Sequence, residues 1–137
     1  MIKLTSHADD KGFTRELWND RSSPDVRQCI FSYTKRGKIR AWYRREQGNN
    51  HFTAVTGRVL IVYFDGTKFI TDHIESTDPC VEVIPGKYWY GIMALEDTAM
   101  ICFVSRAHEK ENPVELHLPE DNEFEGVGKF NWEKYLL

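Results

Sequence analysis

Gly, Pro, Asn and Asp interrupt this chain at short intervals almost from end to end, and the runs between them are rich in β-branched and aromatic side chains. Residues of that type suit a pleated, half-buried surface, and the interruptions supply turns, so the pattern predicts short strands. The predicted strands are Gly12 to Trp18, Arg27 to Thr34, Ile39 to Arg45, Phe52 to Val55, Val59 to Phe64, Lys68 to Ile74, Cys80 to Ile84, Tyr90 to Leu95, Met100 to Ser105 and Val114 to Leu118. With no long helical period among them, the chain reads as all-β, a sandwich or a barrel. Asp65-Gly66 is the clearest turn and is expected to be a type I′ hairpin, because both residue types tolerate positive φ. The tail from Asn131 to Leu137 carries Trp132, Tyr135 and two leucines and is open to a helical turn or a strand.

Composition excludes several function classes. At 137 residues with 41 % hydrophobic and 13 % aromatic content, one domain over residues 1–137 with a real core is expected. A net charge of −3 argues against nucleic acid as the main partner, since that role calls for an excess of Lys and Arg. Cys29, Cys80 and Cys102 are odd in number and unrelated in spacing, so they indicate neither a disulfide framework nor a zinc ribbon. The N-terminus has no apolar core of the signal-peptide kind, and no apolar run approaches membrane-spanning length. A cytoplasmic protein with no membrane role is expected.

The most informative stretch runs from Gln28 to Arg45, a strand, a basic turn at Gly37 and a second strand. Its spacing, Gln28-x3-Ser32-x4-Gly37-x2-Arg40-x2-Tyr43, resembles the dTDP-4-dehydrorhamnose 3,5-epimerase-like (RmlC-like) cupins, whose members carry Arg-Gly-Leu-His there; Tyr43 stands in the histidine's place. Three further segments follow in the same order. Asp10 to Glu16 is similar to the family's Asp-x-Arg-Gly-Phe-Phe-x-Glu, with Lys11 where a phosphate-binding arginine is found. Ile84 to Ala99 resembles Ile-Pro-Pro-Gly-Phe-Ala-His-Gly-Phe running on to Leu-x-Asp-x-Ala, with Tyr90 replacing a second histidine. The Asp121 to Trp132 segment resembles the Asp-Pro…Asp-Trp ending. The resemblance implies a cupin-type jelly-roll β-barrel, a homodimer with shared N-terminal strands involving the Phe13 and Trp18 region, and a nucleotide-sugar ligand.

Metal-binding cupins space their ligands as His-x-His-x4-Glu-x6-Gly, because alternate strand residues face the same interior. Counting back from Gly57, the equivalent positions are Tyr43, Arg45 and Asn50. An arginine repels a metal, and neutral Tyr and Asn do not replace a two-histidine, one-carboxylate set, so no metal and no other cofactor are expected. His51 would restore one ligand only if the register slipped by one residue.

The family reaction, as the resemblance implies it, removes protons next to a 4-keto group with a histidine base and returns them with a tyrosine acid. The base position falls on Tyr43, whose phenol has an ordinary pKa near about 10 and needs nearby cations, such as Arg40 and Arg45, to act at neutral pH. The acid position, counted from Gly91, falls on Phe103, which has no proton to give. Tyr43 is thus either a re-purposed acid, base or sugar contact, or an aromatic that fills the barrel. Arg45 shares its strand face with Tyr43 and must find an anion or a hydrogen-bonded partner: a ligand carboxylate or phosphate, an internal carboxylate such as Glu82, or water at a rim position.

Gln28, Lys11, Arg40, Arg45, Asn50, Trp89 and Tyr90 are the candidate substrate contacts, with Tyr88, Trp89 and Tyr90 expected to form an aromatic group at the mouth. His108 and Glu109 fall in a polar, loop-like stretch open to displaced acid–base chemistry or to ordinary solvation. Three readings compete: a metal-independent nucleotide-sugar epimerase or isomerase of deoxysugar or polysaccharide biosynthesis with altered chemistry; a non-catalytic cupin binding a sugar, nucleotide or other small anion; and an interaction domain.

Overall fold

The structure, a computed structural model, describes residues 2–18, 26, 28–45, 48–104 and 115–136. The strands are β1 (Ile2–Lys3), β2 (Ser6–Asp9), β3 (Gly12–Arg15), β4 (Gln28–Thr34), β5 (Ile39–Arg45) and β6 (Asn49–Thr56), followed by β7 (Arg58–Phe64), β8 (Phe69–Glu75), β9 (Cys80–Pro85), β10 (Trp89–Ala94), β11 (Thr98–Val104) and β12 (Glu115–His117). They form two five-stranded sheets, β1-β9-β6-β11-β4 and β12-β5-β10-β7-β8, with β2 and β3 as a separate hairpin. Every pairing is antiparallel. Two facing sheets with sequence-distant neighbours are the jelly-roll arrangement, and the all-β expectation is met. No helix of the described residues is long and apolar enough to cross a membrane.

The expected strands recur with shifted ends, and β1 and β2 are additions. The strand beginning at Gly12 stops at Arg15 rather than Trp18, and the tail resolves into a 3-10 turn at Glu133–Tyr135. Arg27, Ser105 and Val114, expected within strands, lie outside the described residues, as do His108 and Glu109.

The Asp65-Gly66 turn is not type I′. Of its residues only Gly66 has positive φ, at 101°, and Phe64 pairs with Phe69 across a four-residue loop. Asp65 organises that loop by accepting hydrogen bonds on Oδ1 from the Thr67 and Lys68 backbone amides and the Thr67 hydroxyl. These bonds favour the carboxylate and hold its pKa below the ordinary value.

Two cores flank the second sheet. On β7, Val59 and Ile61 join Phe52, Ile74, Ile84 and Met100 between the sheets, while Leu60 and Val62 face outward into an aromatic cluster built on Trp42, Phe124 and Trp132. Both faces of this strand are therefore buried, which accounts for its unbroken Val-Leu-Ile-Val run. Trp42 stacks on Phe69 and meets Phe124 edge-on, so the C-terminal segment is clamped over the outer face of β5 and β7.

Glu82, 7 % exposed, projects between the sheets beside Phe52 and hydrogen-bonds Asp72 of β8. Burial and the neighbouring carboxylate push its pKa from 4.5 up to about 7. The folded chain thus keeps a proton that the unfolded chain has lost over this interval, and stability falls as pH rises through it. Glu82→Gln, neutral throughout, is expected to gain melting temperature over wild type progressively between about pH 5 and about pH 8. Parallel melting profiles would refute the assignment.

Candidate functional site

The antiparallel pairing of β5 with β10 shapes the cavity. Tyr43 pairs with Tyr90 and Ala41 with Gly91, so Trp42 is an extra residue opposite a register shift. Its backbone turns to the C-terminal segment instead, exchanging hydrogen bonds with Leu118. This bulge lets Arg40 and Tyr43, three residues apart, both reach the cavity while Trp42 is buried behind them.

The cavity holds about 150 Å³. That is below the about 300–1,000 Å³ of sites that enclose drug-sized ligands, and it matches a ring-sized group whose remainder extends through the mouth. From the second sheet it is lined by Arg40, Tyr43, Arg45, Tyr90 and Ile92. The facing wall is Asn50 and Phe52 of β6 with Met100, Cys102 and Val104 of β11, and Ile30 and Ser32 of β4 complete it.

Aromatic rings form a connected row. Tyr90 lies 5.3 Å from Phe52 and 5.7 Å from Tyr43, and the His117 ring meets Tyr43 edge-on at 4.7 Å. Arg45, only 2 % exposed, donates from Nε to Asn50 Oδ1 at 3.3 Å. Arg40 is anchored to β4 through Thr34 Oγ1 at 2.9 Å and the Tyr33 carbonyl at 3.0 Å, which ties one sheet to the other at the rim. The site therefore combines guanidinium groups for an anion, aromatic faces for a ring, and phenol, thiol and amide groups for polar contacts.

Five of the candidate residues thus share one cavity: Arg40, Tyr43, Arg45, Asn50 and Tyr90. Gln28 pairs with Val104, so its half-buried side chain lies on the cavity's side of β4. Lys11 is elsewhere, at the exposed tip of the β2–β3 hairpin, where its amide bonds Asp9. Trp89 is also elsewhere: it follows the alternation of β10 to the opposite face and packs against the Trp42 cluster. The expected three-residue aromatic mouth is therefore divided, with Tyr88 stacked on Tyr63 at 5.7 Å.

Phe103 requires a correction. On β11 the residues paired with Phe52 and Ile30 face the cavity, and these pair with Cys102; Phe103 pairs with His51 and Cys29. The Phe103 ring accordingly turns outward, 6.4 Å from Trp18. His51 shares that outer face, its Nδ1 3.3 Å from the Phe103 carbonyl, so it is no substitute cavity ligand. Among the described residues no group of three or more His, Cys, Asp or Glu is placed to hold a metal ion. Glu82, considered above as a partner for Arg45, instead bonds Asp72.

Sequence reasoning missed Cys102, Ser32 and His117. Strand alternation with correct cross-strand pairing identifies the first two, whereas nothing local marks a lone histidine on a three-residue edge strand.

No family model matches the chain. Two curated proteins do: the spore coat polysaccharide biosynthesis protein SpsL of Bacillus subtilis is 29 % identical over 95 % of this chain and 91 % of its own length. The probable low-salt glycan biosynthesis epimerase Agl13 of Haloferax volcanii is 27 % identical over 86 % and 84 %. Among solved structures, a dTDP sugar isomerase from Desulfovibrio desulfuricans superposes with a TM-score of 0.83 at 18 % identity, over 96 % of this chain and 88 % of that one. The dTDP-4-dehydrorhamnose 3,5-epimerase of Sulfolobus tokodaii gives 0.74 at 21 %, over 85 % and 74 %.

The inside–outside parity of β11 is open to direct test. Tyr43→Ala, which removes a ring from the cavity, is expected to speed alkylation of Cys102 by iodoacetamide, followed by peptide mass spectrometry. Phe103→Tyr is expected to leave that rate unchanged. An equal response to both substitutions would put Phe103 in the cavity.

Proposed function

We propose that this chain is an RmlC-like cupin that acts as a nucleotide-sugar epimerase or isomerase of polysaccharide or deoxysugar biosynthesis, on a dTDP-4-keto-6-deoxyhexose-type substrate with altered acid–base residues. The observation that carries this reading is the convergence of Arg40, Tyr43, Arg45, Asn50 and Tyr90 on one ring-sized cavity. Arg45 and Arg40 supply positive charge for the diphosphate or for a developing enolate, and the tyrosines supply faces and hydroxyls for the sugar.

The proposal extends to a metal-independent reaction. Tyr43, Arg45 and Asn50 occupy the ligand spacing of metal cupins, and a buried guanidinium is a poor neighbour for a cation. We further place the protein in the cytoplasm, as one domain over residues 1–137, apart from nucleic acid and membranes, and assembled as a homodimer. The support for a dimer is the outer face of the first sheet, where Phe31 is 66 % exposed and Tyr33 50 %, together with Phe13 at 62 % on the nearby hairpin. Such a concentration of exposed aromatics suits a partner surface. Light scattering in solution is expected to return twice the chain mass; a monomer mass would reject that assembly.

The function is tested by incubating the protein with dTDP-4-keto-6-deoxyglucose in heavy water and following deuterium at C3 and C5 by NMR. Incorporation at one or both carbons, faster than in a protein-free control and abolished by Tyr43→Phe, is the expected result. Binding without incorporation would instead select the non-catalytic reading.

A further inference from the structure

Inverting a carbon next to a carbonyl requires proton removal on one face of the substrate and delivery on the other. With Phe103 turned outward, the wall facing Tyr43 presents one ionisable side chain among the described lining residues, the Cys102 thiol. Beside it stands Asn50, 1 % exposed, whose Oδ1 receives Arg45 Nε at 3.3 Å and lies 3.9 Å from Cys102 Sγ. The Asn50 Nδ2 amino group, in the same cavity wall, has no hydrogen-bond partner among the described residues. A buried donor without an acceptor carries a desolvation cost that a ligand oxygen would relieve.

We propose that Cys102 is the proton donor opposite Tyr43, with Asn50 Nδ2 donating to the substrate oxygen between them, a role that rests on the epimerase reading above. The step balances as follows. Deprotonated Tyr43 takes the proton from the carbon next to the keto group; the C–H electron pair forms the enolate double bond, and the carbonyl π pair moves onto oxygen, which accepts from Asn50 Nδ2. The enolate then collapses, its carbon taking the Cys102 Sγ proton on the opposite face and leaving a thiolate. Tyr43 loses its new proton and Cys102 regains one by exchange with water, for which the exposed His117 ring, edge-on against Tyr43, offers a route.

This division of labour separates exchange from inversion. In heavy water with dTDP-4-keto-6-deoxyglucose, Cys102→Ala and the near-isosteric Cys102→Ser are expected to keep deuterium wash-in to substrate, because Tyr43 can return a solvent-derived deuteron to the face it attacked. Formation of the inverted product is expected to fall at least about 100-fold, within the range typical of losing a positioned acid. Tyr43→Phe is expected to lose both signals. Folding of each variant is checked by its melting curve, and Cys102→Ser carries the test if the alanine variant does not fold. Inversion at the wild-type rate in either folded cysteine variant would overturn the Cys102 assignment alone. Absence of both wash-in and inversion in the wild-type protein would overturn the epimerase reading itself, and Cys102's role with it.

Discussion

The seam between β5 and β10 sets both faces of the second sheet. Gly91 faces Ala41 across it so closely that an added Cβ would lie 2.5 Å from the Ala41 Cβ and 3.1 Å from the Trp132 ring. A side chain there would force the strands or the indole apart, so glycine is what allows the bulged pairing to close. One residue further along, the same register shift directs Trp42 outward and Tyr43 inward. Trp42 then anchors Phe124, Phe130 and Trp132, while Tyr43 continues the inner row toward Tyr90 and Phe52. Stability and site geometry are thus linked through a single local distortion, and the wall of the cavity is backed by a packed aromatic layer rather than by solvent.

The barrel interior divides by polarity. Toward β8 and β9 it is filled by Val59, Ile61, Ile74 and Ile84, which leave no need for a ligand. Toward β4 and β5 the packing gives way to Arg45, Asn50 and Cys102. Two of these are polar groups almost fully withdrawn from water, a costly arrangement that an apolar filling would avoid. Local violation of ordinary core economy inside an otherwise consistent fold is the physical signature expected of a site. Glu82 forms a second polar intrusion at the far edge, where burial and a hydrogen bond to Asp72 favour its neutral carboxyl.

How much of this was legible beforehand follows from what each signal measures. Strand positions were readable because β-branched runs and turn residues act locally, as in Val59 to Phe64 before Asp65-Gly66. The hairpin spacing from Gln28 to Asn50 also survived, since Tyr43, Arg45 and Asn50 all reach the cavity. Parity across β11 did not. Counting from Gly91 to Phe103 crosses the connection at 95–97 between β10 and β11, and a single-residue offset there exchanges the two faces of a strand. Trp89 failed for a related reason, because neighbours in a strand cannot share a face even when all three are aromatic. β1 and β2 were missed because Ile2–Lys3 is too short, and Ser6–Asp9 too polar, to stand out from a loop.

The replacement of catalytic side chains on this scaffold need not mean loss of chemistry. A jelly roll offers two facing walls, and a reaction that exchanges protons on both faces of a planar intermediate asks for one titratable group on each, not for particular residue types. The alternation of β11 that turns Phe103 outward brings Cys102 inward. The Cys102 thiol is the one proton-bearing ionisable side chain on that wall among the described lining residues. Tyr43 serves the other wall, beside Tyr90 and in the cavity that Arg40 and Arg45 also line. The acid and base are therefore assigned by the wall on which each stands, with β5 holding the base and β11 the acid.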